Sequence, residues 1–105
     1  MMERRFEDRP ALRIGVRVRD RIGQVLVSPT RNITANGAFI ETGRADLSSE
    51  AVLWVDLPDP DVEGGWTNIP ALVVHHHPDG VGVMFSRPYT ALGRLRAHQP
   101  RRRAA

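Results

Sequence analysis

An all-β fold, a small antiparallel barrel or sandwich followed by one short helix, is what this sequence predicts. Three observations point that way. The dominant hydrophobic period is two rather than 3.6. Turn chemistry recurs between short β-rich runs, as Asp20-Arg21-Ile22-Gly23, Asn36-Gly37, Pro58-Asp59-Pro60 and His77-Pro78-Asp79-Gly80. A helical pattern appears only near the end, where Pro88 precedes a stretch from Tyr89 to about His98 that puts Tyr89, Leu92 and Leu95 on one face.

The elements follow in order. Leu12, Ile14, Val16 and Val18 alternate with Arg13, Gly15, Arg17 and Arg19, which reads as a half-buried strand with arginines outward. Gln24 to Val27 is a second strand. Arg31–Thr34 and Ala38–Glu41 flank Ala35-Asn36-Gly37, a hairpin signal. Ala51–Leu57 precedes an acidic, Gly/Pro-rich stretch from Pro58 to Gly65, expected as an exposed loop, and Ile69–His76 and Val81–Phe85 form a last hairpin. That makes about six or seven short strands, the pattern of a small barrel or sandwich. The organisation expected is an N-terminal arm over residues 1–10, a barrel with its helix over 11–98, and a disordered basic tail over 99–105.

Composition excludes several classes. The chain of 105 residues is one domain long and 41% apolar, enough to fold. It holds no cysteine, so disulfides, thiolate metal sites and a cysteine nucleophile are out. No apolar signal core or membrane-length apolar run is present, and a cytoplasmic protein is expected. No nucleophile–base constellation, paired acids in an apolar setting or Walker-type loop marks an enzyme, and no cofactor is expected. The formal charge is +3, and all 15 basic residues are arginine. Residues 1–21 and 87–105 are arginine-rich, whereas 22–86 are mostly acidic. Basic ends on an acidic body favour a localised anion site over a long duplex track, so no duplex nucleic acid is expected as a partner. A barrel for single-stranded nucleic acid needs more stacking platforms than three Phe, two Trp and one Tyr supply.

Three stretches carry chemistry. Arg4-Arg5-Phe6-Glu7-Asp8-Arg9 holds an RxxxR pair, Arg5 and Arg9. Asn32-Ile33-Thr34-Ala35-Asn36-Gly37 follows a (D/N)xSxxG pattern with Thr34 in the serine position. Val73-Val74-His75-His76-His77-Pro78-Asp79-Gly80-Val81-Gly82-Val83-Met84-Phe85 is a closing hairpin of Gly-x-Gly-Val-x-Phe flavour. Arginine grips phosphate and the guanine edge in pairs and stacks on flat rings. Asn offers a donor and an acceptor to a base edge. Asn32 and Thr34 share a face if the chain there is extended, with Ile33 directed to the core, and Gly37 can take φ > 0.

Each stretch also has a plain reading. Arg5 and Arg9 would be a solvated charged segment with Glu7 and Asp8, and Asn32–Gly37 a simple turn. Trp54 and Trp66 would be core or loop packing. His75-His76-His77 would be a surface strand end rather than a metal site, because no further ligand follows at a sensible spacing. The Asn32-Ile33-Thr34 sequon is chance in a chain without a secretory signal.

In their order and spacing, from Arg4 to His98, the three stretches resemble the PilZ domain family. The resemblance implies a small six-stranded antiparallel β-barrel with a short C-terminal helix that binds cyclic di-GMP. By carry-over, Arg5 and Arg9, with Arg4 assisting, contact phosphate and guanine. Asn32 and Thr34 hydrogen-bond a guanine, and Gly37 shapes the turn beside it. The expected partners are cyclic di-GMP and a protein effector, with the domain a monomer or a ligand-linked dimer. The alternative is a degenerate family member that binds no nucleotide and acts only by protein–protein interaction.

Overall fold

The computed structural model describes residues 13–43, 47 and 50–98. Six strands are present: β1 (Gly15–Arg19), β2 (Val25–Arg31), β3 (Gly37–Glu41), β4 (Val52–Pro58), β5 (Trp66–His77) and β6 (Gly80–Phe85), followed by helix α1 (Leu92–His98). Every pairing is antiparallel, and the order β1-β2-β3-β6-β5-β4 closes on itself through β1 and β4. The fold is a closed barrel, which settles the choice between barrel and sandwich. Among the described residues no helix is long and apolar enough to cross a membrane.

The period-two pattern builds the interior. Val16 and Val18, Leu53, Val55 and Leu57, Ile69 and Ala71, and Val81, Val83 and Phe85 all point inward and are buried. Burial of each larger aliphatic among them contributes about 1.5–3 kcal/mol. Polar groups in this interior are satisfied. The Thr30 hydroxyl donates to the Ile14 carbonyl at 2.9 Å and accepts the Ile14 N–H at 3.2 Å. The buried Asp20 carboxylate accepts the N–H groups of Ile22 and Gln24 at 3.1 and 2.9 Å, which shapes the β1–β2 turn.

The basic ends and acidic middle of the sequence meet on the outer surface. Arg17 and Arg19 of β1 approach Asp56 of β4 at 3.4 and 3.9 Å, and Arg21 approaches Glu50 at 3.7 Å. Arg13 forks onto Glu41 at 3.0 and 3.1 Å, and Arg31 reaches the same carboxylate at 2.9 Å. The expected division into basic termini and an acidic body therefore gives way: β1 is part of the body, and its arginines balance the acids of distant strands. Such exposed pairs contribute about 0–1 kcal/mol each, so they select register more than they supply stability.

Several boundaries differ from expectation, among them the start of β5, at Trp66 rather than Ile69. β2 continues through Pro29 to Arg31. The Thr30 N–H points to Ile14 beside β1, so the Pro29 nitrogen points the other way. On that side the ladder with β3 holds only Thr30 and Arg31, and proline costs nothing there. Arg31–Thr34 is accordingly not a separate strand. The helix starts at Leu92 rather than Tyr89, because Tyr89 is committed elsewhere. Its N–H donates to the Ala35 carbonyl at 2.8 Å and its hydroxyl to the Pro58 carbonyl at 2.5 Å. The 59–65 loop is exposed in the main, but Asp59 is buried at its base, and Arg94 of α1 pairs with both Asp59 and Asp61. The 1–10 arm and the 99–105 tail lie outside the described residues.

Two predictions follow from this packing. A methyl group on Gly80 would collide with the Ile40 carbonyl oxygen and the Phe39 ring. Gly80→Ala is expected to lower stability by roughly 2–3 kcal/mol, read as a lower midpoint in urea unfolding. Tyr89 is 1% exposed. Burial, reinforced by the Asp59 carboxylate and opposed by Arg94, pushes its hydroxyl from 10.0 up to about 12. A raised folded-state pKa means the stabilisation is complete below pH 10 and is lost as pH climbs to about 12. The loss is on the order of 2 kcal/mol. Thermal melts across that window should show it in the wild type and not in Tyr89→Phe, and the chain's single tyrosine lets ultraviolet absorbance follow the ionisation directly.

Candidate functional site

The segment that leaves β2 and enters β3 is a built turn. Asn32 has φ 53°, in the left-handed region, which costs most L-residues about 1–2 kcal/mol but which Asn tolerates. That reversal sends Ile33 into the core, where it is 2% exposed, and leaves Asn32 and Thr34 exposed on either side. The two polar side chains are thus presented by a left-handed bend and not, as expected, by an extended strand.

Thr34 closes the turn. Its N–H donates to the Gly37 carbonyl at 2.8 Å. Its hydroxyl accepts the N–H groups of Asn36 and Gly37 at 3.1 and 3.3 Å and lies 3.4 Å from the Gly37 carbonyl. The hydroxyl is engaged in holding the backbone, and serine would do the same. Gly37 is required for a different reason from the one expected. Its φ is not positive; instead a Cβ there would strike the Val83 carbonyl oxygen of β6. Two further bonds pin the turn to the barrel, from the Phe85 N–H to the Asn36 carbonyl at 2.8 Å and from the Tyr89 N–H to the Ala35 carbonyl at 2.8 Å.

The charge beside this platform is positive. Arg31 immediately precedes Asn32, lies over the Phe39 ring at 4.4 Å and shares Glu41 with Arg13. Two guanidiniums face one carboxylate, an arrangement favourable to an anion held against Asn32. Sequence reading missed Arg13 and Arg31, because their roles depend on a carboxylate distant in the chain. Arg4, Arg5 and Arg9 lie outside the described residues. The chain nevertheless enters the barrel next to the turn, since Arg13 and Arg31 hold the same Glu41. Arg9 is four residues upstream, within a contour length of about 14 Å.

The remaining candidates take simpler places. His75 and His77 share a face, with ring centroids 6.3 Å apart, and His77 meets the Phe39 ring edge-on at 5.7 Å. Among the described residues no group of three or more ligating side chains converges on a metal site. Trp54 and Trp66 are half-buried on the outer faces of β4 and β5, not in the core, and the Arg17 guanidinium lies 4.1 Å over the Trp66 ring.

Neither a curated protein nor a solved structure matches the chain. The family model of the PilZ domain does, over residues 3–97. That span includes the arginine arm, the Asn32–Gly37 turn, all six strands and most of α1, and the closed six-stranded barrel with its short helix agrees with the architecture expected of such domains. The chain belongs to the PilZ domain family, a family of cyclic di-GMP receptor domains.

Proposed function

We propose that this domain senses cyclic di-GMP in the cytoplasm and passes the messenger's presence to a protein partner. The observation that carries the reading is the turn at Asn32. A side chain able to both donate to and accept from a guanine edge is held outward, on a backbone anchored at two points, with surplus guanidinium charge next to it.

The division of labour follows from the chemistry. Asn32 reads the guanine edge. Thr34 and Gly37 keep the turn in the shape that presents it. Arg5 and Arg9, assisted by Arg4, neutralise the phosphates and stack on or fork to the bases. Engagement of these arginines by the ligand changes the surface offered to a partner, which is how a binding domain transmits a signal. Binding without chemistry needs no cofactor.

Calorimetric titration with cyclic di-GMP tests the reading. The wild type is expected to bind saturably, and Arg5→Ala to lose affinity by roughly tenfold or more, about 1.4 kcal/mol or more. Asn32→Gly separates binding from folding. Glycine accepts the left-handed backbone at no steric cost, so stability should stay within about 1 kcal/mol of wild type while affinity falls. Thr34→Ser should preserve both. Thr34→Val, which keeps the shape and removes the hydroxyl, should cost about 1–2 kcal/mol of stability. Absence of any saturable heat, with an amide spectrum unchanged by the nucleotide, would overturn the messenger role in favour of a domain that works through proteins alone.

A further inference from the structure

The barrel's outer face carries a second feature, on β1, β4, β5 and β6. Across the strand register, Val52 stands opposite Leu72, Leu72 opposite Met84, and Met84 opposite Gly37. One step along β4 and β5, Trp54 stands opposite Pro70. All of these side chains point outward, and Leu72 and Met84 are 50% and 52% exposed. Gly37 adds no side chain, so nothing on β3 covers Met84. The result is an outward-facing apolar block centred on Leu72, with Trp54 at its β1 edge.

On its β1 side the block meets charge. Arg19 is directly opposite Trp54, and Arg17 is opposite Asp56. Both share the Asp56 carboxylate, while Arg87 donates to the Asn68 carbonyl at 2.6 Å. Two guanidiniums therefore share one carboxylate. Beyond them on β2, Val25 and Val27 are 55% and 72% exposed. Tryptophan and arginine are among the residue types that concentrate binding energy in protein interfaces, and methionine is enriched there.

We propose that this face is the docking surface for a protein segment that carries acidic side chains between apolar anchors, the acids meeting Arg17 and Arg19 and the anchors covering Trp54, Leu72 and Met84. Charge selects this occupant. A second copy of the chain docked through the same face would set two net-positive surfaces against each other and supply no additional acid to either. A nucleic acid strand would gain nothing from the exposed aliphatic side chains, and the Trp66 ring it would stack on is already covered by Arg17. The inference rests on the adaptor half of the proposed function. It also places the partner beside the ligand turn, because Met84 is paired with Gly37.

The test is selection of 12-residue random peptides displayed on phage against the full chain, with counter-selection on a Leu72→Asp/Met84→Asp variant shown to be folded by its circular dichroism and melting transition. The expected pool combines Asp or Glu with Leu, Ile, Phe, Met or Trp. Synthetic members should bind wild type and lose roughly tenfold or more in affinity for Leu72→Gln, and several-fold for Arg19→Ala. Cyclic di-GMP titration of Leu72→Gln should match the wild type, so that loss of docking and loss of nucleotide binding are read separately. Failure to recover a patch-dependent pool, or a pool without acidic enrichment, would overturn the proposal. So would a wild-type dimer in sedimentation that Leu72→Gln abolishes, or oligonucleotide binding that Arg19→Ala abolishes.

Discussion

The close approach of β3 and β6 is the constraint on which much of this domain depends. Two glycines permit it: Gly37 faces the Val83 carbonyl, and Gly80 faces the Ile40 carbonyl, with no room for a Cβ at either. Because the backbones come that close, Phe85 can reach back to Asn36 and lock the turn that displays Asn32. For the same reason the Phe39 ring lies over Gly80, where Arg31 stacks on it, and Met84 remains bare on the outer surface. The candidate ligand turn and the exposed apolar face are two results of one strand contact.

Arginine's geometry accounts for the rest of the outer surface. Arg17 lies over Trp66 while reaching Asp56, and Arg31 lies over Phe39 while reaching Glu41. A flat guanidinium can place its face on a ring and its edge on a carboxylate at the same time, which an ammonium group cannot. The absence of lysine from the chain is consistent with this repeated double use. These contacts join β1 to β4 and β2 to β3, and β1–β4 is the pair that closes the barrel. Weak exposed ion pairs thus fall at the two shortest ladders of the barrel.

What could be read from the sequence was whatever is local or periodic. Alternation over Ile14–Val18 marked an inward face, and the turns at Asp20–Gly23 and His77–Gly80 marked strand ends. The motif residues Asn32, Thr34 and Gly37 were legible as a group. Their conformations were not. An extended Asn32 and a left-handed Gly37 both follow from the hairpin pattern, and each was displaced by a tertiary contact, burial of Ile33 in one case and the Val83 carbonyl in the other. The late start of α1 depends on bonds from Tyr89 to Ala35 and Pro58, partners that no local pattern announces. Trp54 and Trp66 looked like interior residues by type, and only the strand register shows them facing out.

The left-handed backbone at Asn32 has a consequence for how relatives of this domain are to be judged. Aspartate, asparagine and glycine are the residues that position accepts for conformational reasons. A hydroxyl at position 34 is needed to tie the turn, and nothing larger than glycine fits at 37. Each member of this motif therefore answers a folding requirement before it answers a ligand. A lineage that gave up nucleotide recognition would still be selected to keep a hydroxyl at 34, a glycine at 37 and one of those three residues at 32, long after the reason for an arginine at positions 5 and 9 had gone. Across such a lineage the arm arginines, and not the turn, would record the history of binding.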